Sequence, residues 1–246
     1  MSFENSSPAA VIFDMDGVLA DTEPLHGACF IRAFGGFGIF TTLEEYRQAI
    51  TLGGSTVRDY FLKLGGDPSD WDRVKGIKDA CMQEIVAEHD ALMPGVIMLL
   101  DLLRSAGIRT AVATSARRRS LDIIIDRYGL RAYFDATVTK DDADAEKPDP
   151  TSFLLAAQRL GADPGDCVAL EDSPRGVLAA ARAGMKCIAI PTPSTADGDF
   201  APATLVVESL EEIDLKTLRG LFRAPAAPRT PRPSGQAPDP DKRPRS

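Results

Sequence analysis

The chain has 246 residues, a formal net charge of −8 and a pI near 4.9. Its hydrophobic share of 44% and charged share of 26% are those of an ordinary globular protein with one large or two modest domains. The acidic balance argues against a nucleic-acid-binding protein, so we expect no nucleic-acid partner.

The N-terminal segment and the longest apolar run indicate neither export nor a membrane partner. The segment MSFENSSPAA lacks the basic region and apolar core of a signal peptide. The run 96–100 is far too short to span a bilayer. The four cysteines have no CxxC or zinc-site spacing, which favours free, buried thiols in a reducing compartment. We therefore expect a cytoplasmic protein.

Short apolar runs alternate with helical patterns along most of the chain. The runs predict strands at 11–13, 109–114, 136–139, 167–170 and 187–190. Helices are predicted at 94–106 and 120–128, and two more begin after the N-caps Asp149 and Ser173, each followed by proline. This alternation predicts an α/β fold with a doubly wound, mostly parallel sheet of the Rossmann-like type.

One long segment and the C-terminal tail depart from this alternation. Residues 24–92 carry helix signals and no convincing strand, including a capping box from Thr42 to Glu45 and a helical pattern at 71–89. We interpret 24–92 as an α-helical cap inserted into a core made of 1–23 and 93–223. The tail, 224–246, contains seven prolines and almost no large apolar residue, so we expect it to be disordered.

Polar side chains follow four of the predicted strands, at the edge where an open α/β sheet has its functional crevice. They are Asp14 and Asp16 after the first strand, Thr114 and Ser115 after the second, Lys147 in the loop after the third, and Glu171 and Asp172 after the fourth. Neighbouring carboxylates repel one another, so we expect a cation among them. Oxygen ligands from two segments suit Mg²⁺, which usually joins a carboxylate cluster to a substrate phosphate.

The same side chains allow phosphoryl transfer. An aspartate such as Asp14 can act as a nucleophile and form an aspartyl-phosphate. A second carboxylate two residues on, Asp16, can protonate the leaving oxygen and then activate water. The Lys147 ammonium and the Thr114 hydroxyl can contact phosphoryl oxygens.

Four stretches at predicted strand ends resemble the haloacid dehalogenase (HAD) superfamily of phosphotransferases, in the branch of small sugar-phosphate phosphatases and β-phosphoglucomutase. They are DMDGVLADTEPLH at 14–26, VATSA at 112–116, EKPDP at 146–150 and LEDSPRGVLAAARAGM at 170–185. The resemblance covers about residues 10–214. It implies a HAD core with an α-helical cap, a Mg²⁺ cofactor and an aspartyl-phosphate intermediate.

The resemblance also implies a role for each core residue. Asp14 is the nucleophile and a metal ligand, and Asp16 is the general acid/base, with its main-chain carbonyl on Mg²⁺. The other core residues contact the phosphoryl group or the metal: Thr114 and Lys147 the former, Glu171 and Asp172 the latter. The residues expected to bind the rest of the substrate are His26, Gly54, Lys78, Ser115 and Arg117.

Several of these residues have structural alternatives that the sequence leaves open. Thr114 and Ser115 can cap the following helix instead of binding phosphate, and Arg117 can be a solvated cation on that helix. His26 can be a satisfied polar residue at the base of the cap. In the cap loop 52–57, Thr56 or Val57 stands where β-phosphoglucomutase has an arginine, and Arg58 follows one or two residues later.

The resulting functional hypothesis is a Mg²⁺-dependent phosphatase that hydrolyses a small phosphorylated metabolite, a sugar phosphate by resemblance. The alternative is a β-phosphoglucomutase-like mutase, which returns the phosphoryl group to its intermediate. A non-catalytic binding module is a remote alternative, because Asp14, Asp16, Lys147 and Asp172 are all present.

Overall fold

A computed structural model of the chain describes residues 7–53, 55–88, 91–143 and 145–222. The expectations for Gly54 and for the tail 224–246 concern residues outside these ranges. Among the described residues, no helix has the length and apolar character needed to cross a membrane.

The described residues form a six-stranded sheet in which every pair of neighbouring strands is parallel. The strands are β1 (Ala10–Phe13), β2 (Arg109–Ala113), β3 (Ala136–Val138), β4 (Cys167–Glu171), β5 (Lys186–Ala189) and β6 (Leu205–Val206). Their order is β3-β2-β1-β4-β5-β6, so β1 lies between β2 and β4 and the chain winds outward in both directions. This confirms the predicted doubly wound α/β fold. The short edge strand β6 was not predicted.

Helices cover both faces of the sheet. Successive residues of a strand point to opposite faces, so apolar strands place side chains on both faces that must be buried. On one face, Val11 and Phe13 belong to a buried cluster with α5 (Val96–Ser105), α6 (Arg118–Arg127) and Leu218 of α9 (Leu215–Gly220). On the other face, Ala10 and Ile12 belong to a cluster with α7 (Thr151–Leu160) and α8 (Pro174–Arg182). The apolar strand runs are therefore buried on both sides, as parallel sheets require.

The N-cap predicted for α7 is wrong by one residue, whereas that of α8 is correct. Helix α7 begins at Thr151 after Pro150, and Asp149 Oδ1 instead accepts a hydrogen bond from Thr151 N at 2.9 Å, two residues on. Aspartate forms such local turns as readily as it caps helices, which explains the misassignment. Ser173 caps α8 and accepts from Gly176 N at 3.1 Å.

Four α-helices lie between β1 and α5 in the chain and have an aromatic core of their own. They are α1 (Glu23–Gly35), α2 (Leu43–Arg47), α3 (Val57–Lys63) and α4 (Trp71–Glu88). Thr42 and Glu45 form the capping box of α2, with Thr42 N donating to Glu45 Oε2 at 2.8 Å. The Phe34 and Phe61 rings meet at a centroid distance of 5.1 Å within the buried cluster of this helical layer. We keep the name cap for residues 24–92 as a proposal.

The chain leaves and re-enters the sheet layer along two adjacent segments. Asp21 N donates to the Ala91 carbonyl at 2.7 Å, and Met93 N donates to the Leu19 carbonyl at 3.0 Å. Ala91 N also donates to the Tyr128 hydroxyl at 2.7 Å, which ties the return segment to the residue that follows α6. These bonds fix where the helical layer joins the sheet layer.

The expectation of four free thiols is wrong for one pair of cysteines. Cys29 of α1 and Cys81 of α4 form a disulfide, and both are buried between these two helices. Cys167 and Cys187 are free and buried, as expected. The bonded cysteines are 52 residues apart in sequence, so no short spacing motif could predict the pair. The cysteines therefore no longer support the expectation of a reducing compartment.

The disulfide predicts an unequal labelling of the four cysteines. In protein purified without reductant and then denatured, a thiol alkylating agent should modify Cys167 and Cys187, and should reach Cys29 and Cys81 only after reduction. A closed loop of 52 residues corresponds to about 4 kcal/mol of chain-entropy stabilisation, so reductant should lower the melting temperature of the wild type. The Cys29→Ser variant is the control, since reductant should not affect its melting temperature. Labelling of all four cysteines before reduction would contradict the pairing.

Candidate active site

The polar residues that follow β1 and β4 meet around one buried ammonium group. Lys147 Nζ donates to Asp14 Oδ1 and to Glu171 Oε1, both at 2.6 Å, and to the Ala113 carbonyl at 2.9 Å. All three donor positions of the ammonium are thereby used. The three charged side chains are almost fully buried. The loop after β3 thus delivers a cation to the ends of β1, β2 and β4.

The electrostatics of Asp14 reflect an excess of negative charge around this lysine. Burial raises the pKa of Asp14 to about 7; the Lys147 ammonium opposes this rise, and Glu171 and Asp16 add to it. The two neighbouring carboxylates hold the pKa of Lys147 above its usual range despite burial. Lys147 is therefore charged at neutral pH, and its single charge does not balance the carboxylates nearby.

The carboxylates of Asp14, Glu171 and Asp172 fit a divalent metal ion. Each offers an oxygen that lies within 4.8 Å of the others. Burial, followed by the charges of the neighbouring carboxylates, raises the pKa of Asp172 to about 9. No described residue donates a hydrogen bond to its carboxylate. A hard cation with oxygen ligands would supply the missing positive charge, and Mg²⁺ has this preference.

Two glycines make room for the two acids that end β4. A Cβ atom on Gly17 would lie 2.3 Å from Asp172 Oδ2, and Gly17 has a φ of +75°, where side chains are disfavoured. A Cβ on Gly176 of α8 would lie 1.9 Å from the Glu171 carboxyl carbon. The carboxylates of Asp172 and Glu171 therefore occupy space that a side chain at position 17 or 176 would fill.

Asp16 lies beside this acidic cluster but contacts the helical layer. Its Oδ1 accepts a hydrogen bond from the Thr22 hydroxyl and lies 3.4 Å from His26 Nε2 at the start of α1. Burial raises the pKa of Asp16, but the hydrogen bond and charge of His26, with the Thr22 bond and the charge of Lys78, lower it overall. The predicted acid/base is thus ionised in this arrangement and is held by residues at the junction of the two layers.

Thr114 and Ser115 occupy different positions at the end of β2. Ser115 lines a cavity of about 310 Å³ together with Asp14, Asp16, Lys147 and Asp172. Thr114 is buried and does not line this cavity, and its hydroxyl oxygen accepts from Ala116 N at 3.0 Å. Helix α6 begins at Arg118 with no side-chain cap, so neither hydroxyl caps that helix.

The remaining described substrate-binding candidates line a second cavity of about 430 Å³, between the helical layer and the end of β2. They are His26, Lys78 and Arg117, and the rings of Phe30 and Trp71 share its wall. Lys78 is buried, and its ammonium lies 3.6 Å from Asp79 Oδ1 and 5.7 Å from the centre of the Phe30 ring. Burial lowers the pKa of Lys78, although the Asp79 and Asp16 charges oppose this. Arg117 is exposed, with Asp141 at 3.6 Å.

The sequence reasoning missed one wall of the first cavity. Thr192, Ser194 and Thr195 line it from the loop after β5, and Arg175 lines it from α8. Arg175 Nε donates to the Lys147 carbonyl at 3.0 Å, so it holds the segment that carries the lysine. The hydroxyl-rich run TPST at 192–195 begins one residue after the strand predicted at 187–190, and this position at the carboxyl edge of the sheet was the available signal.

Comparisons with known proteins agree with this geometry. The family model described as haloacid dehalogenase-like hydrolase matches residues 8–184. Protein CbbY from Rhodobacter capsulatus is 33% identical over 205 residues, covering 79% of this chain and 90% of CbbY. Hexitol phosphatase B from Escherichia coli K12 is 32% identical over 215 residues, covering 86% and 96%. A crystal structure of mutant CbbY from Rhodobacter sphaeroides, in complex with xylulose-(1,5)bisphosphate, superposes with a TM-score of 0.77 at 31% identity, covering 86% and 99%.

The raised pKa values of Asp14 and Asp172 predict a pH dependence of stability without metal. Because these folded-state values, about 7 and about 9, exceed the ordinary 3.8, the folded protein holds protons that the unfolded chain has lost. Their stabilisation is fully present below the ordinary pKa of 3.8 and falls as the pH rises, until about pH 7 for Asp14 and about pH 9 for Asp172, so only the Asp172 contribution still falls between pH 7 and pH 9. Mg²⁺ would replace those protons, so it should raise the melting temperature more at about pH 9 than at about pH 7.

Calorimetric scans with a chelator and with saturating Mg²⁺ measure this effect at both pH values. The titration of the free thiols Cys167 and Cys187 affects the scans with chelator and the scans with Mg²⁺ equally. The difference in melting temperature between the two sets of scans therefore reports on the carboxylates. An equal Mg²⁺-induced shift at the two pH values, or no shift at either, would contradict the assignment of this cluster.

Proposed function

The chain belongs to the haloacid dehalogenase-like hydrolase family, and we propose that it hydrolyses a small sugar phosphate through an aspartyl-phosphate on Asp14, with Mg²⁺ as cofactor. It is a phosphoric monoester hydrolase, since the matched family is one of hydrolases and its relatives include phosphatases. The observation that carries the rest is the geometry at Lys147. Its ammonium fixes one oxygen of Asp14 at 2.6 Å.

In the first step, the free oxygen of Asp14 attacks phosphorus. A bond forms between Asp14 Oδ2 and phosphorus while the bond from phosphorus to the leaving oxygen of the substrate breaks. Asp16 delivers a proton to that oxygen, so the product leaves as a neutral alcohol. Since Asp16 is ionised when it contacts Thr22 and His26, it must acquire its proton before this step.

In the second step, Asp16 removes a proton from a water molecule that attacks the phosphorus of the aspartyl-phosphate. The bond between phosphorus and Asp14 breaks and inorganic phosphate leaves, so Asp14 is again a free carboxylate and Asp16 again carries the proton with which the first step begins. Proton transfer of this kind contributes about 10²–10⁴-fold to a rate.

The remaining residues hold charge and orientation. Lys147 stays protonated, holds Asp14 in place and sets its positive charge beside the phosphoryl group. Ser115, on the cavity wall, donates to the phosphoryl group, and Thr114 holds the backbone after Ser115 through the bond that it accepts from Ala116 N. Mg²⁺ bound by Asp14, Asp172 and the main-chain carbonyl of Asp16 would act as a Lewis acid towards the phosphoryl oxygens, with Glu171 beside it.

The second cavity supports a polar substrate that extends from the first. Lys78 and Arg117 provide cationic groups there, and His26 lies between this cavity and Asp16. The stacked rings of Phe30 and Trp71, with a centroid distance of 6.2 Å, offer an apolar face for a sugar ring. Residues 24–92 act in this proposal as a cap that covers the leaving group.

The mutase alternative depends on a cation for a second phosphate. Arg58 in α3 is exposed and does not line either cavity, so it is poorly placed for that task. Lys78 and Arg117 remain the candidates for the distal clamp, and they keep the mutase as the second candidate function.

Replacement of the nucleophile predicts a complete loss of turnover. In Asp14→Asn the amide cannot attack phosphorus and is a poor Mg²⁺ ligand, so phosphate release should fall below detection. Asp126→Asn, an exposed carboxylate on α6 paired with Arg131, is the matched control and should retain wild-type turnover. A residual rate above about a hundredth of the wild type, a loss no larger than that from removing one oxyanion donor, would refute nucleophilic catalysis by Asp14.

The proposed sugar-phosphate phosphatase activity predicts that hydrolysis is faster than isomerisation. Phosphate release from a panel of sugar and nucleotide monophosphates, with Mg²⁺ and with a chelator, should be fastest for a sugar phosphate and should require Mg²⁺. The comparison is the conversion of β-glucose 1-phosphate to glucose 6-phosphate, primed with the bisphosphate. If isomerisation outruns the fastest hydrolysis, the phosphatase proposal fails and the distal phosphate is bound by Lys78 or Arg117.

A further inference from the structure

Asp172 is the first residue beyond the hydrogen-bonded ladder of β4. The ladder ends with Glu171, whose carbonyl accepts from Ile190 N at 2.7 Å and whose register partner on β5 is Ala189. No described backbone N–H donates to the carbonyl of Asp172. The residue with the most strongly raised carboxyl pKa at the site is therefore not positioned by the sheet itself.

The hydroxyl of Thr195 takes the place of that missing backbone partner. Thr195 Oγ1 donates to the Asp172 carbonyl at 2.7 Å. A carbonyl oxygen can only accept, so the hydroxyl is the donor in this bond, and the same oxygen accepts from Thr192 N at 3.0 Å. The other possible acceptors of its proton, Thr192 Oγ1 at 3.2 Å and the Thr192 carbonyl at 3.4 Å, lie farther away. The hydroxyl thus links the loop after β5 to the segment after β4.

The loop that carries Thr195 is itself well fixed. Thr195 N donates to the Thr192 carbonyl at 3.0 Å and closes a turn directly after β5. Gly198, further along, packs closely on the first residue of α8, because a Cβ atom there would lie 2.3 Å from Pro174 Cγ. The donor is therefore held by β5 on one side and by α8 on the other.

The Asp172 carboxylate depends on its backbone for its position. Its oxygens receive no hydrogen bond from any described residue, and its side chain lies against Gly17, which has no side chain of its own to guide it. A shift of the Asp172 carbonyl therefore moves the carboxylate relative to Asp14 and Glu171. Residues that orient metal ligands in this indirect way typically contribute 10–100-fold to metal affinity.

We propose that Thr195 is a positioning residue for the metal site, acting through the main-chain carbonyl of Asp172. The inference rests on the proposed Mg²⁺ site and adds to it a residue outside the four stretches that carry the family resemblance. Thr195 also lines the first cavity, but its hydroxyl is bonded to the Asp172 carbonyl and is not proposed to touch the metal or the substrate.

The test measures metal binding without substrate. Titration of the protein with Mn²⁺, followed by the electron paramagnetic resonance signal of free Mn²⁺, gives the dissociation constant directly. Thr195→Val, which removes the hydroxyl and keeps the shape, should weaken binding by about 10-fold or more. Thr195→Ser keeps the hydroxyl and should bind Mn²⁺ like the wild type.

The matched control is Thr204→Val. Thr204 directly precedes β6 and lies beside the N-terminal end of β5, whereas Thr195 follows the C-terminal end of β5. Thr204 Oγ1 accepts from Cys187 N at 3.1 Å, so this variant also loses a hydroxyl-to-backbone bond, but one away from the acidic cluster. Its Mn²⁺ affinity should be unchanged. Melting curves without metal establish that each variant is folded at the titration temperature, and Thr195→Ala replaces Thr195→Val if the latter is not.

Three results would contradict the inference. Wild-type Mn²⁺ affinity in the folded Thr195→Val or Thr195→Ala variant would remove Thr195 from this role. An equal loss in Thr204→Val would show that general loosening of the sheet, and not the Asp172 carbonyl, weakens the site. Absence of Mn²⁺ binding by the wild type would overturn the metal site of the proposed function itself, and this inference with it.

Discussion

The ion pairs of the Lys147 ammonium with Asp14 and Glu171 are the interaction on which the site depends. Each N–O distance is 2.6 Å, and all three side chains are removed from water. Removing one partner of such a buried pair typically costs about 3–5 kcal/mol, since the remaining charge stays buried and uncompensated. The sheet order explains how these groups meet, because β1 lies between β2 and β4 and presents its carboxyl end beside theirs.

This lysine leaves the cluster short of positive charge, and that deficit connects the structure to its chemistry. One ammonium faces the carboxylates of Asp14, Glu171 and Asp172, and the pKa values of Asp14 and Asp172 rise as a result of burial and mutual repulsion. A divalent cation and a dianionic phosphate would both be attracted, the cation by the carboxylates and the phosphate by the cation and the lysine together. Asp16 is set apart from this cluster by Thr22 and His26, so its protonation is tied to the junction with the helical layer.

The parallel sheet and the convergence of Asp14, Lys147 and Asp172 could be predicted from sequence because both follow from local rules. Buried strand runs are readable as continuous apolar stretches, and the carboxyl ends of parallel strands share one edge. The Cys29–Cys81 bond could not be predicted, since it depends on how two helices far apart in sequence pack together. The contact from Thr195 to the Asp172 carbonyl was missed for the same reason: a hydroxyl in a loop acquires its meaning only from the backbone it reaches.

Mapping the covalent intermediate tests the account most directly. The Asp16→Ala variant, mixed with Mg²⁺ and a reactive phosphoryl donor and then quenched in acid, is digested and analysed by mass spectrometry. The proposed mechanism predicts one added phosphoryl group on the peptide that contains Asp14, because the nucleophile is intact while the residue that activates water is missing. Phosphate release without any phosphorylated Asp14, or a phosphoryl group on another residue, would contradict it.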